Sequence, residues 1–558
     1  MQNYIAKNEQ TRAQESTNAI ERLYIGMRHL FNRGYYKPMG VSGETLREAL
    51  LILRPEIYGS INEDKVELNG LLYVLDRLPE GIEECRFVNL TSEEGYKNAH
   101  FEVIIPKKRR RNCYRVDEDQ MNIEITRGRS EIYDILTHLT FMYMESEKIR
   151  KQIQQEDDLC FTRDWNKLVK FAVQKTLSDK DRDIAMAHLA NILGRSFNEI
   201  IEVYDKFASP QNPDRFIYVI YGLGKLSLEE VTEKNKREIT FSPVLRERIG
   251  HHIHSSFWAY QIKKRIHNLN LFERPLHIIS SNMHSVMNSL FAKEAFGVEY
   301  ANKTDMEIYE LLSNDQSKDL RNTVKSYALK HGMVMLADSS SSHINVQLFD
   351  TSKIAHLPTY NDPKSPVILV MDYAFGEQAF EAMDELLKPY KAPNETLFYM
   401  NVVSVSIMGK AGILQGGKGD LMIPTAHILE GTSGNYPFKN ELSLKDFEGT
   451  DIDCYEGSMV TVLGTSLQNR DLLQFFHDST WKVIGLEMEG AHYQKAIQAA
   501  SKIRKSIIEN IQVRYAYYAS DNPLETGSTL ASGGLGTSGV KPTYTITKKI
   551  IEQILETS

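Results

Sequence analysis

From His331 onward, short apolar runs alternate with segments of helical spacing, and this alternation restricts the second half of the chain more than any other feature. Residues 333–337, 344–349, 367–373, 399–408, 420–426, 458–464, 481–487 and 511–519 have the apolar, β-branched character of strands, and 378–388, 488–505 and 543–556 have the 3.6-residue period of helices. Strands of this kind separated by helices predict an α/β/α domain built on a central sheet. In such a sheet the carboxyl ends of the strands face the ligand crevice. Two of the runs end in acid: Val483-Ile-Gly-Leu-Glu-Met-Glu-Gly-Ala-His-Tyr493, and Tyr-Tyr-Ala-Ser-Asp521-Asn-Pro. Glu487, Glu489 and Asp521 are therefore candidates to meet on one small molecule, since carboxylates suit sugar hydroxyls and basic ring nitrogens.

The first half is organised differently. Residues 16–33, 43–53, 130–153 and 165–204 have helical periodicity, with Ser178 and Ser196 placed as N-caps, whereas Arg86-Phe-Val-Asn-Leu, His100-Phe-Glu-Val-Ile-Ile and Met121-Asn-Ile-Glu-Ile-Thr suggest a small β insert. The expected organisation is a mainly helical N-terminal domain over 1–240, a bridging α/β segment over 241–332, and an α/β domain with a mixed central sheet over 333–558. Within the bridge, Pro275-Leu-His-Ile-Ile-Ser-Ser-Asn-Met-His-Ser-Val-Met-Asn-Ser-Leu290 is a strand, a polar turn and a helix. The turn is either a second small ligand loop or a capped helix start with Asn282 or Ser285 as N-cap.

With 558 residues, two or more domains are expected. A net charge of -8 argues against a general nucleic-acid binder. Cys85, Cys113, Cys160 and Cys454 have neither zinc-ligand spacing nor the pattern of a disulfide framework. The N-terminus lacks the apolar core of a signal peptide, and no apolar run reaches the ~20 residues needed to span a bilayer, so no membrane association and a cytoplasmic location are expected. Lys107-Lys-Arg-Arg-Arg111, flanked by Asp117-Glu-Asp119, is expected to be a solvated hairpin. His251, His252 and His254 have no other ligand residue at metal-binding spacing, so no metal is expected. Gly534-Leu-Gly-Thr-Ser-Gly539 fits a dinucleotide pattern, but too little chain follows for the required unit.

Four motifs carry a family resemblance. Glu-Met-Glu-Gly-Ala followed by Ser520-Asp521 resembles the purine nucleoside phosphorylase and nucleosidase superfamily. So do Val403-Ser-Val-Ser-Ile-Met-Gly-Lys-Ala-Gly-Ile-Leu414 with Gly419-Asp-Leu-Met-Ile-Pro-Thr425, and Val367-Ile-Leu-Val-Met-Asp-Tyr-Ala-Phe-Gly-Glu-Gln378, all in the superfamily's order. With Gly431-Thr-Ser-Gly-Asn-Tyr-Pro-Phe438, the set is most similar to bacterial AMP nucleosidase-like sequences. The resemblance covers roughly 333–558. It implies that Glu489 holds the ribose hydroxyls and that Asp521 protonates the departing purine. It further implies a purine nucleotide or nucleoside substrate, no cofactor, and assembly into a homo-oligomer.

The residues suit that chemistry. Cleavage of a purine N-glycosidic bond needs a proton for the leaving base and a negative or hydrogen-bonding grip on a ribose that becomes oxocarbenium-like. Gly409, Lys410, Ala411 and Gly412 follow an apolar stretch and offer backbone N–H groups beside a cation, which suits a phosphate; the alternative for Lys410 is a surface position in a tight turn. Phosphorylases of the hexameric type carry an arginine where this chain has Ile407 and a serine where it has Lys410, which favours water as the attacking group and a 5'-phosphate on the substrate. Phe375, Gly376 and Glu377 match the ribose-side turn, with Glu377 either orienting water or complementing the following helix. Glu487 and Met488 are placed on the substrate with Glu489. Thr432, Ser433, Tyr436 and Phe438 are expected to line a loop over base or phosphate. Hydrolysis of AMP to adenine and ribose 5-phosphate is the leading expectation; a purine nucleoside phosphorylase and a non-catalytic nucleotide sensor are the alternatives.

Overall fold

The computed structural model describes residues 11–154, 161–174, 177–210, 212–300, 302–432, 434–525 and 535–556. The chain divides into two compact units, Met1–Gly250 with Ser466–Leu472, and His251–Thr465 with Leu473–Ser558.

The first unit is organised around the helix Gly128–Ile153, whose Ile132, Ile135, Leu136, Leu139, Phe141 and Ile149 are all buried. Beside it lies a five-stranded sheet of β1 (Tyr35–Tyr36), β2 (Phe87–Thr91), β3 (Cys113–Asp117), β4 (Gln120–Glu124) and β5 (Glu238–Phe241), in the order β1-β5-β2-β4-β3. Ser178 and Ser196 cap helices as expected, and Ser196 forms a full capping box with Glu199. Residues 100–105 do not form a strand. Their one link to the sheet is the bridge from Ile104 to Cys113, and Val103 and Ile105 are exposed. Asn469 shows why a short later segment belongs to this unit: its side-chain amide donates to Ser16 Oγ and to the Leu53 carbonyl, both at 2.8 Å.

The basic run is not a solvated hairpin. Arg111 is 1% exposed and lies 2.7 Å from Asp134 and 3.3 Å from Glu131, while Arg109 grips Asp134 at 2.6 Å. The partners lie on the helix Gly128–Ile153, beyond the reach of a local charge-pattern argument. Burying a guanidinium is tolerable only with such partners.

The second unit is built on a ten-stranded mixed sheet. Its strands are β6 (Leu276–Ser280), β7 (Met333–Leu336), β8 (Val346–Asp350), β9 (Val367–Met371), β12 (Val402–Ile413), β13 (Leu421–Leu429), β14 (Asn435–Pro437), β15 (Cys454–Thr461), β16 (Val483–Glu487) and β17 (Gln512–Asp521). A separate two-residue ladder joins β10 (Tyr390–Lys391) to β11 (Leu397–Phe398). The strand of the supposed bridge, β6, lies in the middle of the large sheet between β9 and β12, parallel to both. Residues 251–332 therefore belong to the α/β unit: Leu276 to Ser280 are all buried, as an internal parallel strand requires.

One face of the sheet packs Val405, Ile407, Ala411, Tyr515, Tyr517 and Ala519 against the helices Ile253–Asn268, Gln378–Leu386 and Gly490–Gln498. The other packs Ile279, Met408 and Ala516 against Ser285–Phe296, Lys318–Lys330 and Val540–Glu556. Strands β12, β17, β13, β15 and β16 pair in a closed ring, because β12 is long enough to pair with both β16 and β17. Gly409–Gly412 accordingly lies inside β12, not in a turn after it. Among the described residues no helix is long and apolar enough to cross a membrane, and Cys85, Cys113 and Cys454 are free thiols.

Candidate active site

The sequence Glu-Met-Glu-Gly marks the passage from β16 into the helix Gly490–Gln498. Glu487 ends the strand and turns its Oε2 back onto the backbone N–H groups of Glu489 and Gly490, both at 2.5 Å. A helix start leaves such donors unsatisfied, and a carboxylate is the strongest local acceptor for them. Its Oε1 accepts from Thr461 Oγ1 at 2.5 Å and lies 3.5 Å from His427 Nδ1. Burial alone would raise the Glu487 pKa, but His427, Thr461 and the helix amide outweigh it and hold the carboxyl below its ordinary range. Glu487 is thus an ionised anchor with both oxygens occupied. Gly490 is required here, because a Cβ would come within 2.3 Å of His427 Cε1 and 2.8 Å of Glu487 Oε1.

Glu489 has different surroundings. Its Oε1 accepts a hydrogen bond from the N–H of Gly376 at 2.9 Å, and the Met488 backbone also donates to the carboxyl. Gly376 follows β9 and has φ of 55°, a left-handed conformation that glycine adopts without strain. Burial, and then the negative charge of Glu487, push the Glu489 pKa up to about 8. Two nearby carboxyls are therefore separated by environment: one anchors the fold as an anion and the other is pushed toward its protonated form.

Asp521 is the last residue of β17, 5% exposed, and faces Gly412 across the ladder. The same Gly412 pairs on its other side with Leu486, next to Glu487. The ends of β16 and β17 thus lie two strand spacings apart, about 10 Å. Asp521 Oδ1 accepts from Ser520 Oγ, and Oδ2 is buried without a hydrogen-bond partner among the described residues. Burial raises its pKa, against Ser520 and the charges of Lys410 and Lys418. A buried carboxyl with a raised pKa and an unused oxygen is what a proton donor requires.

The remaining expected positions are distributed unevenly. Gly409 and Ala411 are buried in β12, whereas Lys410 is exposed and lines a cleft of about 430 Å³. Glu377 occupies the N-cap position of the helix Gln378–Leu386, and the Phe375 N–H donates to Gln378 Oε1 at 3.1 Å. Met488 is half-buried. Phe438 stacks on His427 at 5.4 Å and packs on Tyr515 at 4.6 Å, so its ring is used in the core packing. Thr432 is exposed and serves the turn after β13, accepting from Gly434 N–H; Tyr436 lies on β14 opposite His427. Ser433 lies outside the described residues. His427, which connects Glu487 to the aromatic cluster, had no sequence signal beyond its position in β13. After β7, the run Asp338-Ser-Ser-Ser-Ser342 closes on itself, with Ser340 Oγ donating to Asp338 at 2.6 Å and lying 2.7 Å from Ser342 Oγ.

One group among the described residues has metal-ligand types in proximity: His252, Asp384 and Glu385. Sequence spacing could not reveal it, since the carboxylates lie on another helix. Lys388 bridges both carboxylates at 3.3 and 2.6 Å and Arg504 grips Asp384 at 2.5 Å, so the negative charge is already met by protein cations.

Comparison with known proteins gives a family. Residues 44–327 and 309–556 match the Family of unknown function (DUF6909). The chain belongs to the DUF6909 family. No curated protein matches this DUF6909 sequence. Among solved structures, a futalosine hydrolase mutant of Helicobacter pylori strain 26695 shares 12% identity over 51% of this chain and 100% of its own, with a TM-score of 0.31. A 5'-methylthioadenosine/S-adenosyl homocysteine nucleosidase of Campylobacter jejuni shares 10% over 51% and 99%, also at 0.31. Uridine phosphorylase from Schistosoma mansoni shares 11% over 54% and 93%, at 0.32.

Proposed function

We propose that this protein hydrolyses the N-glycosidic bond of a purine nucleotide, AMP in the first instance, to give adenine and ribose 5-phosphate. The observation that carries the proposal is the state of Asp521: buried at a strand end, raised in pKa, and with Oδ2 unpartnered beside the Gly412 backbone. In the reaction, Asp521 gives its proton to the purine ring nitrogen as the C1'–N bond breaks, so the base leaves neutral. Positive charge grows on the ribose, and Glu489 accepts hydrogen bonds from the ribose hydroxyls, which strengthen as that charge develops. Water adds to C1' and loses a proton, completing the balance. The Gly376 N–H fixes the Glu489 carboxyl at the strand ends, and the Glu487 anchor keeps the helix start rigid beneath it.

Purified protein incubated with AMP, adenosine, inosine, GMP and methylthioadenosine, each with and without inorganic phosphate, tests the proposal by chromatography of free base. Adenine from AMP, independent of phosphate, is expected. Release that requires phosphate and yields ribose 1-phosphate would replace hydrolysis by phosphorolysis. No base from any substrate would overturn the hydrolase reading.

A further inference from the structure

Lys410 lines a cleft whose other walls come from parts of the chain far apart in sequence. Arg321, on the helix Lys318–Lys330, supplies a second cation. Its guanidinium donates to the carbonyl oxygens of Leu312 at 3.0 Å, Asn314 at 2.5 Å and Asp315 at 3.2 Å. These dipoles fix its position without neutralising its charge. Lys410 itself has no hydrogen-bond or ion-pair partner among the described residues, and none of the side chains lining the cleft is a carboxylate.

Two helix N-termini meet the same space. His284 is the N-cap residue of the helix Ser285–Phe296, where the N–H groups of His284 and Ser285 already donate to Asn282 Oδ1 at 3.1 and 2.7 Å, and Gly539 and Val540 open the helix Val540–Glu556. N–H groups at a helix start carry partial positive charge and favour anions. Between them stands Asn288, 3% exposed, whose Nδ2 donates to Tyr544 Oη at 2.7 Å while Oδ1 has no partner. With Oδ1 and Nδ2 exchanged, the tyrosine hydroxyl donates to Oδ1 and the unpaired group of this amide is an NH₂ donor. Desolvation and then Arg321 hold His284 below its usual pKa range, against Asp372, so the positive charge in the cleft is that of Arg321 and Lys410.

We propose that this cleft is an oxyanion site in which Arg321 and Lys410 bind a phosphate dianion, with Asn288 and the start of the helix Val540–Glu556 as neutral donors. Lys410 connects it to the reaction centre, because its charge acts on Asp521. Resting on the nucleotide reading above, the inference names the sugar phosphate of the substrate as the occupant, and free inorganic phosphate is the other source of the same chemistry. Guanidinium and ammonium contacts to phosphate are charge-assisted and account for most of the discrimination between a nucleotide and its nucleoside.

The test measures, for the full chain, calorimetric affinity for AMP, adenosine and inorganic phosphate, together with adenine release. The wild type is expected to bind AMP about tenfold or more tighter than adenosine, and Arg321→Ala and Lys410→Gln each to remove most of that difference with adenosine unchanged. Arg321→Ala also loses contacts to three carbonyls, so Lys410→Gln, which breaks no bond among the described residues, and Arg321→Lys, which retains charge, separate binding from folding. Unchanged affinity for both AMP and phosphate in Lys410→Gln overturns the site. Loss of phosphate binding alone retains the site and assigns it to free phosphate. Loss of AMP affinity in the variants of a protein that releases no adenine retains the site and removes the hydrolase reading.

Discussion

The N–H of Gly376 donates to Glu489 Oε1 at 2.9 Å, so a single carboxyl ties the turn after β9 to the helix start after β16. That carboxyl is otherwise destabilised as an anion by burial and by Glu487, and its pKa stands at about 8. Ribose hydroxyls arriving as donors would stabilise the anion and lower the pKa. Binding of AMP or adenosine at neutral pH is therefore expected to release protons. Calorimetry in buffers of different ionisation enthalpy measures this, and Glu489→Gln should abolish it while turnover falls strongly.

The same shift has a stability consequence with a definite sign. The Glu489 pKa is raised on folding from the ordinary 4.5 to about 8, so the folded state holds the proton more tightly than the unfolded chain. The contribution is complete below about 4.5 and is lost as pH rises through about 8. Thermal unfolding of Glu489→Gln should show a higher Tm than wild type at alkaline pH and a smaller difference in acid. An equal difference across the range would remove Glu489 as the titrating group.

Gly490 is a steric requirement of the anchor. Ala at this position would drive its Cβ into His427 and Glu487, and overpacking of this kind costs about 1–3 kcal/mol. A lowered Tm together with reduced turnover is expected for Gly490→Ala, measured by calorimetry and base release, because the displaced helix start carries Glu489.

In the first unit, Glu131 is fully buried between Arg127 and Arg111, at 2.7 and 3.3 Å. Burial would raise its pKa, but the two guanidinium groups reverse this and leave it lowered. Its stabilising contribution is present above the unfolded pKa near 4.5 and is lost as pH falls through the lower folded value. Glu131→Gln removes the carboxylate shared by Arg127 and Arg111, leaving Asp134 on Arg111, and should cost about 3–5 kcal/mol at neutral pH, seen in chemical unfolding, with the wild-type difference shrinking in acid.

The legibility of the chain followed the range of each interaction. Ser178, Ser196 and the strands of 333–521 are encoded locally, by caps and apolar runs, and appear nearly where periodicity puts them. The strand 276–280 was visible, but its place at the centre of the sheet was not, because pairing between β6, β9 and β12 joins residues far apart in sequence. Gly409–Gly412 reads as a turn because glycine is a turn former, and the pairing to β16 and β17 that makes it strand joins residues far apart in sequence. Glu487, Glu489 and Asp521 were recognisable as strand-end acids, yet their division into anchor, proton-holding acceptor and unpartnered acid depends on His427, Gly376 and Lys410. Arg321 carried no signal, since only the fold brings its helix to the cleft.

The proton of Asp521 is the centre of the proposed hydrolysis, and turnover of AMP by Asp521→Asn is the measurement that tests it. Loss of a general acid is worth about 10²- to 10⁴-fold, so kcat should fall by that factor while the unfolding profile and AMP affinity stay near wild type. A folded Asp521→Asn protein that releases adenine at close to the wild-type rate would contradict the account.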